Sequence, residues 1–465
     1  VGKTKQDLIH EASLDILANT GVAFYAKEAV QLFRSHGFKT DQNIIFFNET
    51  QIQTALDSTP SQFLVRARDS KYDLRLGGQN APALAPGYGA PFIIESNGFR
   101  RKATIDDYQS FCKLVHTSKV INFNGFMMGD PSDLPPKTYH LDMLLNSILL
   151  CSKPFMGSPL TAQAAKDAVQ MAKIVFGDSP APVMVANINA LAPLQFAPEM
   201  AQSIMIFSKA GQPIIITGGG IMGSTVPIVP VDLLIIQNAS VLAGICLSQL
   251  VNPGAPVIYG AVGSPLDMQT GALYHGGPES NMVIKEGLLM ANFYGLPSRG
   301  GGALTDAHSL DYQAGYQSAL SLKIAFDSHA DFILHACGIL STYMAMSFEK
   351  FLADEELCHH ILKTLQPLEF NKDQIDLSII KEVGVGGQFL THPSTFKHCR
   401  TQFIPLPLAN RLPFDAWQAQ AVSSYRDKAT KSLSIRLDQY QRPDIDSSLE
   451  NELKRYVRSR KKEIC

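Results

Sequence analysis

The chain has 465 residues, 45% hydrophobic and 18% charged, with 40 Lys and Arg against 42 Asp and Glu. A net charge of −2 supplies no basic field for nucleic acid, and the apolar share is too high for a disordered chain. The most apolar stretch, 226–251, is interrupted by Asp232, Gln237, Asn238 and Gln249, which argues against a membrane span of about 20 uninterrupted apolar residues. Seven scattered cysteines without CxxC spacing fit free thiols, and the polar start lacks a signal-like pattern. Both point to a cytoplasmic protein.

Residues 3–19 carry apolar side chains at helical spacing and stop at Gly21; a second helix, 27–35, stops at Gly37. Strand-like runs follow at 44–47, 63–68 and 73–76, with Gly77-Gly78 as a turn, so residues 1–80 read as an α+β cap. From 81 to 370 short apolar runs alternate with helical segments. Strands are expected near 84–94, 120–128, 154–158, 182–188, 213–218, 256–261, 296–301 and 331–336. Helices are expected near 104–118, 138–150, 161–177, 197–210, 229–251, 278–295, 311–328 and 347–365. Runs such as Pro213-Ile214-Ile215-Ile216-Thr217 are apolar throughout, as parallel strands buried on both faces must be. Eight strand–helix units are the count of an α/β, (β/α)₈ TIM barrel, although a doubly wound sheet gives a similar alternation. Residues 371–465 read as an extension packing on the barrel, with Trp417 and two polar helices after Ala416.

In such barrels the site lies at the carboxyl ends of the strands. Glycine crowds those ends here, in Gly87-Tyr88-Gly89, Gly218-Gly219-Gly220 and Gly300-Gly301-Gly302, which suits tight turns or a wide mouth open to a planar ligand. Neither phosphate-binding glycine pattern occurs at a strand–helix junction, and there is no GxSxG elbow. His335 and Cys337, two apart at a strand end, are expected on one face and would be zinc donors given a third ligand. No companion histidine or cysteine motif accompanies them. The densest constellation is 296–316, with Arg299, Asp306, His308 and Asp311. Arg299 at a strand end suits a bidentate carboxylate, or else pairs with Asp306 or Asp311; Asp311 also suits the first turn of the next helix.

The run GGGALTDAHSLDYQAGYQSA, the upstream PESNMVIKEGLLMANFYGLPS and the later HACGILSTYMAMSFEKFLADEEL resemble the trimethylamine methyltransferase superfamily of corrinoid-dependent methyltransferases. FLVRARDSKYDLRLGG and ESNGFRRKATIDDY extend the likeness toward the amino terminus. The resemblance implies a (β/α)₈ barrel and a homo-oligomer in anaerobic metabolism. It implies no intrinsic metal. Founding members carry pyrrolysine, and this sequence has only ordinary residues. It therefore looks like the branch acting on quaternary amines: glycine betaine first, with carnitine and proline betaine as the other options. The corrinoid, cobalamin in its reduced form, is expected on a cognate corrinoid protein, since no DxHxxG motif occurs here. Gln317 stands where the family pattern leads one to expect Glu, so no role for that acid carries over.

A quaternary ammonium has no lone pair, so neither proton nor metal activates it at nitrogen, and its leaving group is a neutral amine. The protein's task becomes orientation and desolvation, with no catalytic acid or base of its own. Aromatic faces attract such a cation by ~0.5–2 kcal/mol each, which nominates Tyr88, Phe92, Tyr259 and Tyr343 near strand ends. Arg299 and His335 would take a carboxylate, with Asp306, His308 and Asp311 as support. Two alternatives stand beside this reading. One is a zinc-dependent corrinoid methyltransferase for a methanol- or thiol-type substrate; the other is a non-catalytic betaine-binding protein. The basic end, 455–462, suits either a solvated helix or an acidic partner.

Overall fold

The computed structural model describes residues 2–78, 80–178, 181–368, 375–419 and 424–464. Seven short parallel strands form the wall of a barrel: β1 (Ala83–Leu84), β2 (Phe155–Met156), β3 (Met184–Asn189), β4 (Ile214–Thr217), β5 (Val257–Gly260), β6 (Ser298–Arg299) and β7 (Phe332–Ile333). Their spatial order is β1-β7-β6-β5-β4-β3-β2. The eighth place, between β1 and β2, is filled by residues 122–124 without a regular ladder. Leu84 O accepts from the amides of Asn122 and Phe123 at 3.2 Å. Asn122 Oδ1 stands in for a strand carbonyl and accepts from Leu84 N at 2.7 Å. On its other side Asn124 bridges to β2. The expected strand 120–128 is thus present in place but not as a paired ladder, because a side chain does part of the backbone's work.

Each barrel helix falls within two residues of its expected span, from Ile105–Thr117 to Phe348–Leu365. Side-chain caps by Thr104, Thr161, Asp311 and Ser347 supply acceptors for first-turn amides. The helix Pro230–Val251 is long and apolar enough to cross a membrane, but it lies inside this fold, with 78% of its apolar window buried. It packs across β4 and β5 and under the amino-terminal helix Lys5–Asn19. That placement explains its apolarity without a bilayer.

The expected first strand, 84–94, is two strands. After β1 the chain turns at Gly87-Tyr88-Gly89, and Phe92–Ile94 joins a separate four-stranded sheet with Arg100–Lys102, Ile339–Leu340 and Ala345–Met346. Residues 339–346 follow β7, so this sheet is built from loops at the carboxyl ends of β1 and β7. The amino-terminal strands Val22–Phe24, Ile44–Phe46 and Lys39–Asp41 form a sheet in that order, and Val22–Phe24 pairs with Gln195–Phe196, which follows β3. The strand-like runs expected at 63–68 and 73–76 appear as Gln62–Val65 and Leu74–Gly77, which pair antiparallel, with Gly77 inside the ladder rather than in a turn.

The expected boundary between barrel and extension, at 370/371, lies outside the described residues. Beyond it, Tyr425–Asp438 packs on Phe348–Leu365, and Ser447–Ile464 packs on Tyr139–Leu150 and Ala162–Phe176. Arg436 joins Glu355 and donates to Thr117 Oγ1 at 2.7 Å. Part of the basic end is spent within the molecule: Arg460 Nε lies 2.9 Å from Asp167 and Lys461 Nζ 2.6 Å from Asp142.

Candidate active site

Strand alternation sorts the barrel residues into two faces. Ile216 packs against Gly244 in the helical layer, and Tyr259 donates from its hydroxyl to Asn238 Oδ1 at 3.0 Å in the same layer. Residues of the opposite parity line the barrel interior. In register, Asn189 of β3, Thr217 of β4, Gly260 of β5 and Arg299 of β6 form one row at the carboxyl end of that inner face.

Arg299 is the centre of the site. It is 4% exposed, its Nε has no hydrogen-bond partner among the described residues, and no described carboxylate lies within ion-pair distance. Neither Asp306 nor Asp311 pairs with it, contrary to the alternative raised by the sequence. Burial holds its pKa below the ordinary guanidinium value. An unpaired buried cation costs several kcal/mol and points to a missing anion.

His335 follows β7 with φ +63°, left-handed for a residue that has a Cβ. Its Nδ1 accepts from Tyr88 N at 3.2 Å, so the neutral ring carries its proton on Nε2. Burial first, then the Arg299 and His275 charges, push its pKa well below the ordinary histidine value. The left-handed turn also breaks the alternation that would align His335 with Cys337. The Cys337 thiol is fully buried beside Cys358, whereas the imidazole packs on Tyr343 with centroids 4.5 Å apart. The expected shared face is therefore not formed. The helical neighbours of Cys337 include Lys350, whose buried ion pair with Asp354 (2.6 Å) spans one helical turn.

Tyr343 joins the cluster from a strained turn. Ser341, Thr342 and Tyr343 have φ of +54°, +53° and +70°, three left-handed residues in succession, at roughly 1–2 kcal/mol each. The loop 305–308 holds them there: Ser341 N donates to Ala307 O at 2.9 Å and Thr342 N to Thr305 O at 3.1 Å. Thr342 Oγ1 donates to Asp306 at 2.9 Å, and His308 Nδ1 meets Ser341 Oγ at 2.8 Å. Tyr343 also packs on His275, with centroids 4.2 Å apart. Burial raises the pKa of its hydroxyl to about 12, against an opposing pull from Arg299, so it remains protonated.

His275 is the residue the sequence reading missed. It lies in the loop after β5, where no spacing ties it to a strand end; only its place before Gly276-Gly277-Pro278, a helix start, marks it. Its Nδ1 donates to Gly263 O at 3.0 Å, leaving Nε2 as an acceptor, and burial lowers its pKa to about 4. Asp306 positions it, accepting from His275 N at 2.6 Å and Gly276 N at 2.9 Å. Gln317 in turn accepts from Thr305 Oγ1 and Asp306 N. Asp311 does not enter the cluster; it caps the helix Tyr312–Asp327 by accepting from Ala314 N at 3.0 Å.

The structure thus brings together Arg299, His335, Tyr343, Tyr88 and Asp306, with His308 at the edge. It separates two of the nominated rings from them. Tyr259 faces outward, because an odd register step turns it to the helices. Phe92 lies in the outer sheet under the Arg100 guanidinium, 4.5 Å from its ring centroid.

The fold is an α/β barrel whose mouth carries, among the described residues, a buried guanidinium with no carboxylate partner beside neutral imidazoles, a candidate site for a small anionic or zwitterionic ligand. The chain belongs to the trimethylamine methyltransferase (MTTB) family, which it matches over residues 1–465. It is 37% identical to the glycine betaine methyltransferase of Desulfitobacterium hafniense, over 98% of this chain and 96% of that one. It is 32% identical to a proline betaine:corrinoid methyltransferase of Eubacterium limosum, over 97% and 95%. Among solved structures, the monomethylamine methyltransferase of Methanosarcina barkeri superposes with a TM-score of 0.52 at 11% identity, covering 95% of this chain and 89% of the other, a likeness of fold.

Proposed function

We propose that this protein transfers a methyl group from a carboxylated quaternary amine, glycine betaine foremost, to a reduced corrinoid delivered by a separate carrier protein. The observation that carries the reading is the buried Arg299 guanidinium with no anionic partner among the described residues. A substrate carboxylate supplies the missing charge through charge-assisted hydrogen bonds, and the Nε2 proton of His335 donates to the same group. Because the His335 ring is neutral, it donates to the carboxylate without adding a second buried charge, whereas His275, its proton committed to Gly263 O, only packs beside the site. The Tyr343 ring, packed on both imidazoles, walls the site and excludes water. The names of the relatives support a betaine as methyl donor and a corrinoid as acceptor.

Bound as co-substrate, a reduced corrinoid would supply the nucleophile that takes the methyl carbon. Electrons of the N–CH₃ bond leave with nitrogen, so the departing tertiary amine is neutral and needs no proton. The chain's residues hold the donor still and keep its cation partly desolvated, which raises the ground state toward the transition state. Gly89 faces open space, with no atom within 4 Å of where a Cβ would stand, leaving backbone accessible to a planar ligand at the rim.

Anaerobic incubation with chemically reduced cobalamin and a panel of glycine betaine, carnitine, proline betaine and choline tests the proposal. Alkylation of the cobalamin, followed by absorbance, is expected with carboxylated amines and not with choline. No alkylation with any of them overturns it.

A further inference from the structure

Of the four rings nominated for the trimethylammonium, Tyr259 faces the helices, Phe92 lies under Arg100, Tyr343 is already packed by two imidazoles, and Tyr88 joins the cluster through its backbone amide while its hydroxyl is buried near Tyr139. A cation brought to this mouth needs partners of another kind. The inner wall beside Arg299 holds two. Asn187 and Thr217 are 5% and 4% exposed, and neither Asn187 Oδ1 nor Thr217 Oγ1 has a hydrogen-bond partner among the described residues.

Their placement is set by the ladder. Thr217 shares the row of Arg299, with Gly260 between them, and Asn187 lies on the same face two residues before Asn189. Asn187 Nδ2 donates to Asn189 Oδ1 at 3.4 Å, which fixes the carboxamide with its oxygen left over. A Cβ on Gly260 would come within 2.3 Å of Thr217 Oγ1, so the absent side chain leaves room between the hydroxyl and the guanidinium. A quaternary ammonium has no N–H to donate. Its charge is spread over the methyl hydrogens, which oxygen lone pairs attract through C–H···O contacts.

We propose that Asn187 Oδ1 and Thr217 Oγ1 form the subsite for the cationic pole, holding the inner N-methyl groups of a zwitterion whose carboxylate sits on Arg299. The proposal rests on the betaine reading above and adds to it the residues that distinguish a cation from a neutral group of the same shape. With the inner methyl groups held, the remaining one is directed out of the mouth toward the acceptor.

The test compares glycine betaine with 3,3-dimethylbutyrate, which has the same shape and carboxylate but carbon in place of nitrogen. Calorimetry measures binding of both to the wild type, Asn187→Leu, Thr217→Val and Arg299→Met. The wild type is expected to prefer glycine betaine by about tenfold or more. Asn187→Leu and Thr217→Val each shrink that preference several-fold by weakening betaine alone, whereas Arg299→Met weakens both ligands together. Thr217→Val is nearly isosteric and keeps the test valid if the leucine variant fails to fold. A preference unmoved by either substitution removes the subsite and leaves the betaine reading in place. Absence of binding of either ligand to the wild type removes both.

Discussion

The backbone amide of Tyr88 donates to Nδ1 of His335 at 3.2 Å, so the loop after the first strand selects the tautomer of the imidazole after the seventh. The Nε2 proton is thereby committed to the mouth. Asparagine tolerates a left-handed backbone and its Oδ1 stands where Nδ1 does, so His335→Asn keeps both the turn and the Tyr88 contact. It removes only the Nε2 donor. Glycine betaine affinity should fall by roughly tenfold, the worth of one hydrogen bond to a charged group at about 1.5 kcal/mol. Calorimetry with glycine betaine and choline checks this; equal losses for both would assign the histidine to structure alone.

Arg299→Met should separate binding from stability. Removing a buried, unpaired guanidinium relieves its desolvation, so the melting temperature should hold or rise. Betaine binding should weaken by at least about 2–3 kcal/mol, on the order of 100-fold. A variant that binds normally, or that melts well below the wild type, contradicts the assignment.

The two histidines make stability pH-dependent in a defined direction. His275 has a folded pKa of about 4 and His335 one well below its ordinary value, both chiefly through burial. The unfolded chain therefore takes up protons first as pH falls below about 6.5, and the folded state loses stability from there down toward 4. Each imidazole contributes at most ~1.4 kcal/mol per pH unit in that window and nothing above it. Denaturant midpoints at pH 7.5, 6 and 5 should show the decline. His275→Asn should flatten it, and an unchanged slope would show that the imidazole is not held neutral.

The acids of the 306–311 loop should behave differently from one another. Asp306 accepts from His275 N, Gly276 N and Thr342 Oγ1, so Asp306→Ala releases both the His275 loop and the turn that presents Tyr343. Substrate affinity should drop about 10- to 100-fold, because a half-buried acceptor that organises several donors is costly to remove. Asp311→Ala loses a helix cap, about 1 kcal/mol, with binding unchanged. Thermal melts beside calorimetry separate the two; equal effects on binding would refute the division of labour.

Much of this architecture is written locally. Runs such as 213–216 are apolar at every position, and helix spans are bounded by caps, so seven of the eight expected strand places and the helix limits follow from the sequence, while 120–128 takes its place without a ladder. Arg299 and His335 are legible because both sit at strand ends. What escapes is anything set by register or by unusual backbone. Tyr259 stands next to an inward-facing residue and so faces out, which only the ladder decides. Phe92 leaves the barrel because glycines at 87 and 89 turn the chain. His275, 15 residues beyond the end of β5, is brought to the cluster by Asp306 and by the Tyr343 ring. Asn187 and Thr217 look like ordinary strand residues until their oxygens prove to be without partners.

The wall is joined differently at one place. Between Leu84 and Phe123 the ring is held by two 3.2 Å backbone contacts and the Asn122 carboxamide, where β4 and β5 share a continuous ladder. Amide protons at Phe123 and Leu84 should therefore exchange with deuterated solvent before those of Ile215 and Ile258. Between that seam and Tyr88, Ala85 N donates to Ile333 O at 3.0 Å and Gly87 N to Cys337 O at 2.9 Å, so the segment that aims the His335 imidazole is anchored on β7 and insulated from breathing on the other side of the cylinder.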